Sequence, residues 1–381
     1  MGATRTRAEG IAFVIERPFY TFLLGVGLYL AVDLLLQLVG VEVTAYGVQL
    51  AGGYEPLSSL TTKVVDGLLR GLVIGLSGIG LSMTYSILGF ANFAHGDFIT
   101  TGAFVGTATS FVVAGVLGGG NYDIGSLALV RVNSADLSVA VLSTPIAIVV
   151  GLLAAGLVTI AVVLAVDRLA FEPVRNRGGI TLLITSIGVA FTLRYLVNFV
   201  FGTAPRNTYQ QSLSGEVSLN VVDGTVFVDG HDVLLFVVAV GLMLGVHVLL
   251  QRTKLGKAMR AMSDNEDLAR VTGIPTERVI TFTWVLGGGL TGVAGYVWVL
   301  WRGTFTWFDG WLFLLFVFAA VILGGIGSIY GAMAGGVVIG VAANLSTVYV
   351  PGELSRASAF LLMIVVLIVA PSGLFKGRTT A

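Results

Sequence analysis

The sequence predicts an all-α fold: a polytopic bundle of transmembrane helices with about ten membrane segments and at least eight. Three observations support this prediction. Hydrophobic residues make up 56% of the chain and charged residues only 11%, whereas a soluble domain carries roughly 25% charged residues. The mean hydropathy is +0.94. Apolar runs also recur along the chain, most of them close to the roughly 20 residues that cross a bilayer core.

The expected segments are 19–39, 65–89, 98–118, 143–166, 179–201, 232–250, 279–300, 312–325, 329–346 and 357–371. The first is too long for a cleaved signal peptide, and no Ala-x-Ala-type site follows it. The distribution of Lys and Arg does not decide whether 65–118 and 312–346 are pairs of full spans or re-entrant hairpins. In both arrangements the chain enters and leaves the membrane on the same side, so the later loops keep their positions.

Basic residues predict the orientation, because loops that stay in the cytoplasm carry an excess of Lys and Arg. With the N-terminus inside and the segments alternating, 14 of the 21 Lys and Arg residues are inside and five are outside. The other two, Arg70 and Arg194, fall within segments, toward outer ends from which their side chains are expected to reach the headgroups. Both termini are therefore expected to be cytoplasmic.

Glycine spacing predicts close packing between these helices. The chain has 52 glycines. Gly67, Gly71 and Gly75 recur every four residues, a spacing that lets membrane helices approach closely. Gly336 and Gly340 repeat the same spacing late in the chain.

Two features are expected on the outer side. The stretch 217–228 alternates around Asp223-Gly224, which predicts a small β-hairpin. It could cover the mouth of a pathway or dock an extracellular partner, and both roles stay open. Tryptophans bracket another outer loop and predict an interfacial belt: Trp298, Trp301, Trp307 and Trp311.

Composition excludes several classes of function. The chain has no cysteine, which excludes disulfides, thiolate metal sites and a cysteine nucleophile. Its three histidines make a histidine-based metal site unexpected, and no paired catalytic carboxylates or nucleophile–histidine pattern is found. The net charge is zero, so no basic excess is available to neutralise nucleic acid phosphates. We expect no catalytic site, metal or cofactor, and no nucleic acid partner.

The longest polar stretch between later segments, 251–279, is amphipathic. Ser263 and Glu266 have the spacing of a capping box, so a second short helix is expected to start there. Gly273, followed by Ile274-Pro275, predicts a helix end. Such a helix–turn–helix suits docking into a groove of another protein. The alternative is a solvated loop that only connects two segments.

A second stretch, 80–104, breaks an apolar run with Asn92, His95, Gly96 and Asp97. Ionisable side chains at a break between membrane segments are costly unless they are paired or hydrated, and discontinuous helices often carry substrate sites. In the structural alternative, Asp97 caps the next helix and His95 bonds backbone carbonyls at a tight cytoplasmic turn.

Six segments follow one another along the chain: LGFANFAHGDF, FEPVRNRGGITLLITSIGVAF, GKAMRAMSDNEDLARVTGIPTERV, WVLGGGLTGVAGYV, VILGGIGSIYGAMAGG and PSGLFKG. In this order they resemble the branched-chain amino acid ABC transporter permease family of the LivH/LivM type, with Val174 in place of a leucine in the second segment. The resemblance covers most of residues 65–376. Residues 1–64, expected to form an N-terminal helix and external loop, and the hairpin at 217–231 look like additions.

The resemblance implies an importer subunit in the cell membrane, not itself an enzyme. The expected partners are a second, homologous permease, two ABC ATPase subunits and an extracytoplasmic substrate-binding protein. The loop at 251–278 would couple transport to the ATPases through a defined set of residues: Lys254, Gly256, Lys257, Arg260, Asp264, Asp267 and Gly273. The chain has no Gly-x-x-x-x-Gly-Lys-[Ser/Thr] loop, so ATP hydrolysis is expected in a partner.

Two questions stay open at this stage. Related permeases carry other amino acids, urea or short amides, and the sequence does not select among them. The alternative class is a self-contained secondary transporter or channel, which needs an ion-coupling carboxylate. The carboxylates available for that role in apolar surroundings are Asp33, Asp66 and Asp97.

Overall fold

The structure, a computed structural model, describes residues 18–45, 48–118, 137–208 and 216–375. Within them the α-helices are α1 (Pro18–Val39), α2 (Leu57–Leu88), α3 (His95–Leu117), α4 (Pro145–Val166), α5 (Gly179–Phe201), α6 (Gly230–Arg252), α7 (Lys254–Asp264), α8 (Glu266–Val271), α9 (Thr276–Arg302), α10 (Asp309–Gly324), α11 (Ile329–Leu345) and α12 (Ser355–Val369). The paired strands are β1 (Glu42–Ala45) with β2 (Val48–Gly52), β3 (Arg206–Asn207) with β6 (Thr304–Phe305), and β4 (Glu216–Val221) with β5 (Gly224–Asp229). Residues 1–17, and the basic residues after Phe375 that entered the orientation count, lie outside the described part.

Eight helical stretches of the described chain are long and apolar enough to cross a bilayer: α2, α3, α4 with its continuation to Arg177, α5, α6, α9, α11 and α12 with their flanking turns. This confirms a polytopic helical membrane protein. The expected segment at 312–325 falls in a shorter apolar helix, α10, and within α1 the apolar stretch found is Gly25–Val39. Helix α10 has 16 residues, or about 24 Å, against a bilayer core of about 30 Å. The count of ten and the orientation stay predictions.

Between α2 and α3, residues 89–94 are not helical and run alongside α5. Gly89 lies next to Gly179 at the start of α5, and the Phe93 N–H donates to Ser186 Oγ at 3.1 Å. Asp97 then bonds Arg194, which lies 15 residues and about 22 Å beyond Gly179 along α5. Helix α3 therefore begins deep inside the bundle, and its residues from His95 to Phe104 are all buried.

The predicted glycine ladder packs α2 directly against α11. A Cβ at Gly340 would lie 2.4 Å from the backbone nitrogen of Gly71, and one at Gly336 would lie 2.4 Å from that of Gly75. Neither position can accept a side chain without moving one helix away from the other. The close approach expected from the four-residue spacing is confirmed.

The chain divides into two compact units, residues 1–63 with 218–226, and residues 64–217 with 227–381. In the described part of the first unit, β1 and β2 form an antiparallel hairpin after α1. Asp33 of α1 accepts hydrogen bonds from the Gly52 N–H (2.6 Å) and Gln37 Nε2 (2.7 Å). The role of this unit as an addition to a permease domain stays a prediction.

The predicted hairpin around Asp223-Gly224 is confirmed as β4 and β5. The Asp223 carboxylate accepts hydrogen bonds from the backbone N–H groups of Ser58 (2.9 Å) and Leu57 (2.5 Å), the unsatisfied donors at the start of α2. The backbone of Ser58, together with that of Leu57, lowers the pKa of the Asp223 carboxyl below its ordinary value. The hairpin tip thus caps a helix, a role that the alternating pattern did not indicate.

Candidate functional site

The first candidate region is the helical pair α7 and α8, which occupies the predicted coupling loop. Thr253 caps α7, because its hydroxyl accepts a hydrogen bond from the Gly256 N–H at 3.0 Å. A Cβ at Gly256 would lie 2.3 Å from the carbonyl oxygen of Leu250. Glycine at this position therefore lets α7 fold back against the end of α6.

The start of α8 differs from the predicted capping box. Asn265, not Ser263, is the N-cap, and its Oδ1 accepts from the Leu268 N–H at 2.9 Å. Ser263 lies inside α7, so the prediction of its role was wrong. The predicted helix end is confirmed, since α8 stops at Val271 and Gly273 has a φ of +85°.

The residues expected to carry coupling fall into two groups. Lys254, Lys257, Asp264, Asp267 and Gly273 are exposed, whereas Arg260 is half-buried and Gly256 is buried. The exposed members can contact a partner directly. The other two position α7 within this chain.

Two apolar side chains of α8 were not singled out as site residues, although they fitted the helical spacing. Leu268 is 61% exposed and Val271 is 85% exposed, while Met259 and Met262 of α7 are buried. The two helices therefore divide the amphipathic pattern: α7 uses its apolar residues inside this chain, and α8 presents its own outward. We call Leu268 and Val271 the α8 apolar pair.

A chain of hydrogen bonds connects α7 to the start of α11. Arg260 Nη1 donates to Gln251 Oε1 at 3.4 Å, and Gln251 Nε2 donates to the hydroxyl of Tyr330 at 3.1 Å. That hydroxyl lies 2.8 Å from Nδ1 of His247. Tyr330 is the second residue of α11, so these hydrogen bonds link α7 to the start of α11.

The second candidate region lies where α3 begins, and there the structure bears on the polar motif of 92–97. His95 is 2% exposed. Its Nε2 donates to the Ser77 carbonyl at 2.9 Å and lies 3.2 Å from the Thr291 hydroxyl. His95 therefore joins α2, α3 and α9, as a structural role predicts, but deep in the bundle and not at a surface turn.

Asp97 and Arg194 form a buried ion pair between α3 and α5. Arg194 Nε and Nη2 donate to the two carboxylate oxygens of Asp97, each at 3.0 Å. The side chains are 1% and 4% exposed, respectively. The guanidinium also lies 4.5 Å from the centre of the Trp311 ring. The expectation that Arg194 reaches the headgroups was wrong, and Asp97 is an ion-pair partner instead of a helix cap.

The other two members of the motif shape the turn. Asn92 Oδ1 accepts a hydrogen bond from the Ala94 N–H at 3.0 Å. A Cβ at Gly96 would lie 2.8 Å from the carbonyl oxygen of Gly310, so this glycine lets α3 pack on the start of α10. The described part of the chain has no group of three or more His, Cys, Asp or Glu residues placed to hold a metal ion.

The sequence matches known proteins over most of its length. Residues 63–367 match the family described as branched-chain amino acid transport system, permease component. The chain is 30% identical over 314 residues to the high-affinity branched-chain amino acid transport system permease protein LivH of Salmonella typhimurium, covering 82% of this chain and 94% of that protein. It is 29% identical to LivH of Escherichia coli K12 and 28% identical to the corresponding permease protein BraD of Pseudomonas aeruginosa, with the same coverage.

Proposed function

The chain belongs to the family of branched-chain amino acid transport permease components, and we propose that it moves such amino acids across the cell membrane as one subunit of an ABC importer. Its partners would be a second permease, two ATPase subunits and an extracytoplasmic binding protein. The observation that carries the proposal is the family match over residues 63–367, within which α8 exposes two apolar side chains.

The α8 apolar pair supports an ATPase as the docking partner. Exposed apolar side chains on a short helix between two membrane helices gain stability when a protein groove covers them. The surrounding basic residues, among them Lys254 and Lys257, favour the cytoplasmic side by the positive-inside rule. That side is where ATP is available to a motor subunit.

Hydrogen bonding leaves one of the three candidate carboxylates, Asp66, for the ion coupling that a self-contained secondary transporter needs. Ion coupling needs a carboxylate that can bind and release its ion, and two of the three candidates are already occupied. Asp97 is held by both nitrogens of the Arg194 fork. Asp33 accepts from the Gly52 backbone and the Gln37 amide.

The test is L-leucine transport by the full chain co-purified with its partners and reconstituted in vesicles. We expect uptake to require ATP, and we expect Leu268→Asp with Val271→Asp to abolish both ATPase co-purification and uptake. The matched control is Val222→Asp, which changes an equally exposed valine in the hairpin turn (94% exposed). Uptake by this chain alone, driven by an ion gradient, would establish a secondary transporter instead.

A second experiment tests the orientation and uses the absence of cysteine in the chain. We expect a single cysteine in place of Leu268 to react with a membrane-impermeant maleimide only after cells are opened. A cysteine in place of Val222 should react in intact cells. Reaction at position 268 in intact cells would reverse the orientation and remove the ATPase from the docking surface.

A further inference from the structure

The opposite end of the bundle, where α9 and α11 finish, contains an arginine with incomplete bonding. Arg70 of α2 is half-buried, and its Nη1 donates to Asn344 Oδ1 of α11 at 2.8 Å. Its guanidinium carbon lies 5.8 Å from the centre of the Trp298 ring and 5.4 Å from that of Phe316. The side chain therefore points into the bundle, toward α9 and α10.

Two polar N–H groups at this place are buried without an acceptor. Within the described residues, Arg70 Nε and Trp298 Nε1 have almost no solvent contact and no hydrogen-bond partner. Most buried polar groups in proteins are bonded, and leaving one unsatisfied costs about 1–3 kcal/mol. Trp298, expected in an interfacial belt, is only 6% exposed and lies in the interior instead.

A carboxylate lies within electrostatic range of Arg70. Asp66 precedes Arg70 by four residues on α2, a spacing that places the two side chains on one face of the helix. Among the described residues Asp66 has no ion pair within 4.0 Å and no hydrogen bond. By contrast, the neighbouring carboxylate of Asp232 accepts from Trp301 Nε1 and from the Asp229 N–H, both at 2.8 Å.

We propose that Arg70, Trp298 and Asp66 form a contact site for an α-amino acid during transport. This inference rests on the proposed function. The N–H groups of Arg70 and Trp298 complement a carboxylate, and the Asp66 carboxylate complements an ammonium group. The adjoining faces of Trp298 and Phe316 offer an apolar surface for an aliphatic side chain.

Charges of both signs surround these residues. Arg302 lies 5.9 Å from the centre of the Trp298 ring, and its own partner, Asp309, is 3.3 Å away. Arg302 and Arg356 both act electrostatically on Arg70, whereas Asp232 and Asp229 act on Asp66. Such a mixture suits a zwitterionic ligand, which has a carboxylate at one end and an ammonium group at the other.

The experiment compares variants of the full chain in the reconstituted importer, with binding protein and L-leucine at saturating concentrations. Arg70→Gln is expected to lower the maximal rate of L-leucine uptake roughly ten- to a hundredfold, the effect of losing a hydrogen bond from a charged group. Arg70→Lys should recover part of this loss, because it keeps the charge but not the fork. ATPase activity and subunit assembly should stay unchanged, which a purely structural role would not allow.

Two milder variants guard against a folding defect at position 70. Trp298→Phe keeps an aromatic side chain but removes the N–H together with the five-membered part of the indole, and Asp66→Asn keeps the shape and removes the charge. Each is expected to lower uptake several-fold in protein that assembles normally. The matched control is Arg206→Gln, because the buried Arg206 Nε is also unpartnered while Nη2 donates to the Phe201 carbonyl at 2.8 Å.

The outcomes separate this inference from the proposed function. Absence of L-leucine uptake by the wild-type importer would overturn the proposed function and, with it, the contact site. Uptake by the wild type together with equal rates for Arg70→Gln and Arg206→Gln would overturn only the contact site. Normal rates for both Trp298→Phe and Asp66→Asn would do the same.

Discussion

The ion pair between Asp97 and Arg194 should dominate the stability of the helix bundle around α3. Replacing Asp97 by Asn leaves a guanidinium that is 4% exposed without its counter-charge. Removing one partner of a buried ion pair costs about 3–5 kcal/mol. Both hydrogen bonds of the fork are at 3.0 Å, so both are lost or weakened together. The contact with the Trp311 ring at 4.5 Å persists in Asp97→Asn and keeps the loss from being larger.

The assay is a double-mutant cycle on the free energy of unfolding, measured by denaturation in mixed detergent micelles. We expect about 3–5 kcal/mol of destabilisation for Asp97→Asn and for Arg194→Met alone. The double variant should be less destabilised than the sum of the two, with a coupling energy of at least about 2 kcal/mol. Additive effects, or a loss below about 0.5 kcal/mol in either single variant, would refute the assignment of Asp97 to a permanent pair.

Three further perturbations test other parts of the structure. Gly340→Val should destabilise the protein by more than about 3 kcal/mol in the same denaturation assay, because its side chain would enter the α2 backbone; Gly241→Val, with open space around the glycine, is the control and should cost under about 1 kcal/mol. Asp223→Ala should speed hydrogen exchange at the Leu57 amide. In the wild type the cap is fully present above the ordinary pKa of 3.8 and is lost as the pH falls through the lowered folded-state pKa. The difference in exchange rate between the wild type and the variant should therefore be smaller at pH 3 than at pH 6. Tyr330→Phe should leave ATPase activity intact and lower uptake per ATP, since it removes the hydroxyl that links α6 to α11; an unchanged ratio would exclude that link from coupling.

Local patterns in the sequence predicted the features that depend on local chemistry. The spacing of Gly67, Gly71 and Gly75 predicted a close helix contact. A helix face without side chains allows close approach of the backbone, whichever helix packs against it. Alternation around Asp223 predicted a hairpin, because the two strands are adjacent in the chain. The glycine after α8, Gly273, predicted the end of that helix, because a positive φ at one residue is enough to stop a helix.

The features that the sequence did not predict depend on partners far along the chain. The Asp97–Arg194 pair joins residues 97 positions apart. Hydropathy assigns each of them to a membrane segment but does not show which residue of another segment lies opposite. The choice between Ser263 and Asn265 as the cap was also missed. Both residues can cap a helix, and in the structure α7 continues through Ser263 to Asp264, with Met259 and Met262 buried.

The two arginines within the predicted segments, Arg70 and Arg194, differ in how fully they are hydrogen-bonded, and this difference suggests a structural role for Arg194 and a functional role for Arg70. Arg194 donates through Nε and Nη2 to both oxygens of one carboxylate, that of Asp97, so this carboxylate is not free for a passing solute. Among the described residues, Arg70 has one amide partner and an unsatisfied Nε, and the Asp66 carboxylate has no hydrogen bond or ion pair. Evolution of a bundle for stability alone would pair Arg70 with Asp66 one turn away, as Arg270 pairs with Glu266 in α8. The unpaired arrangement at Arg70 costs stability in the absence of solute, and that cost is recovered only while an amino acid occupies the site.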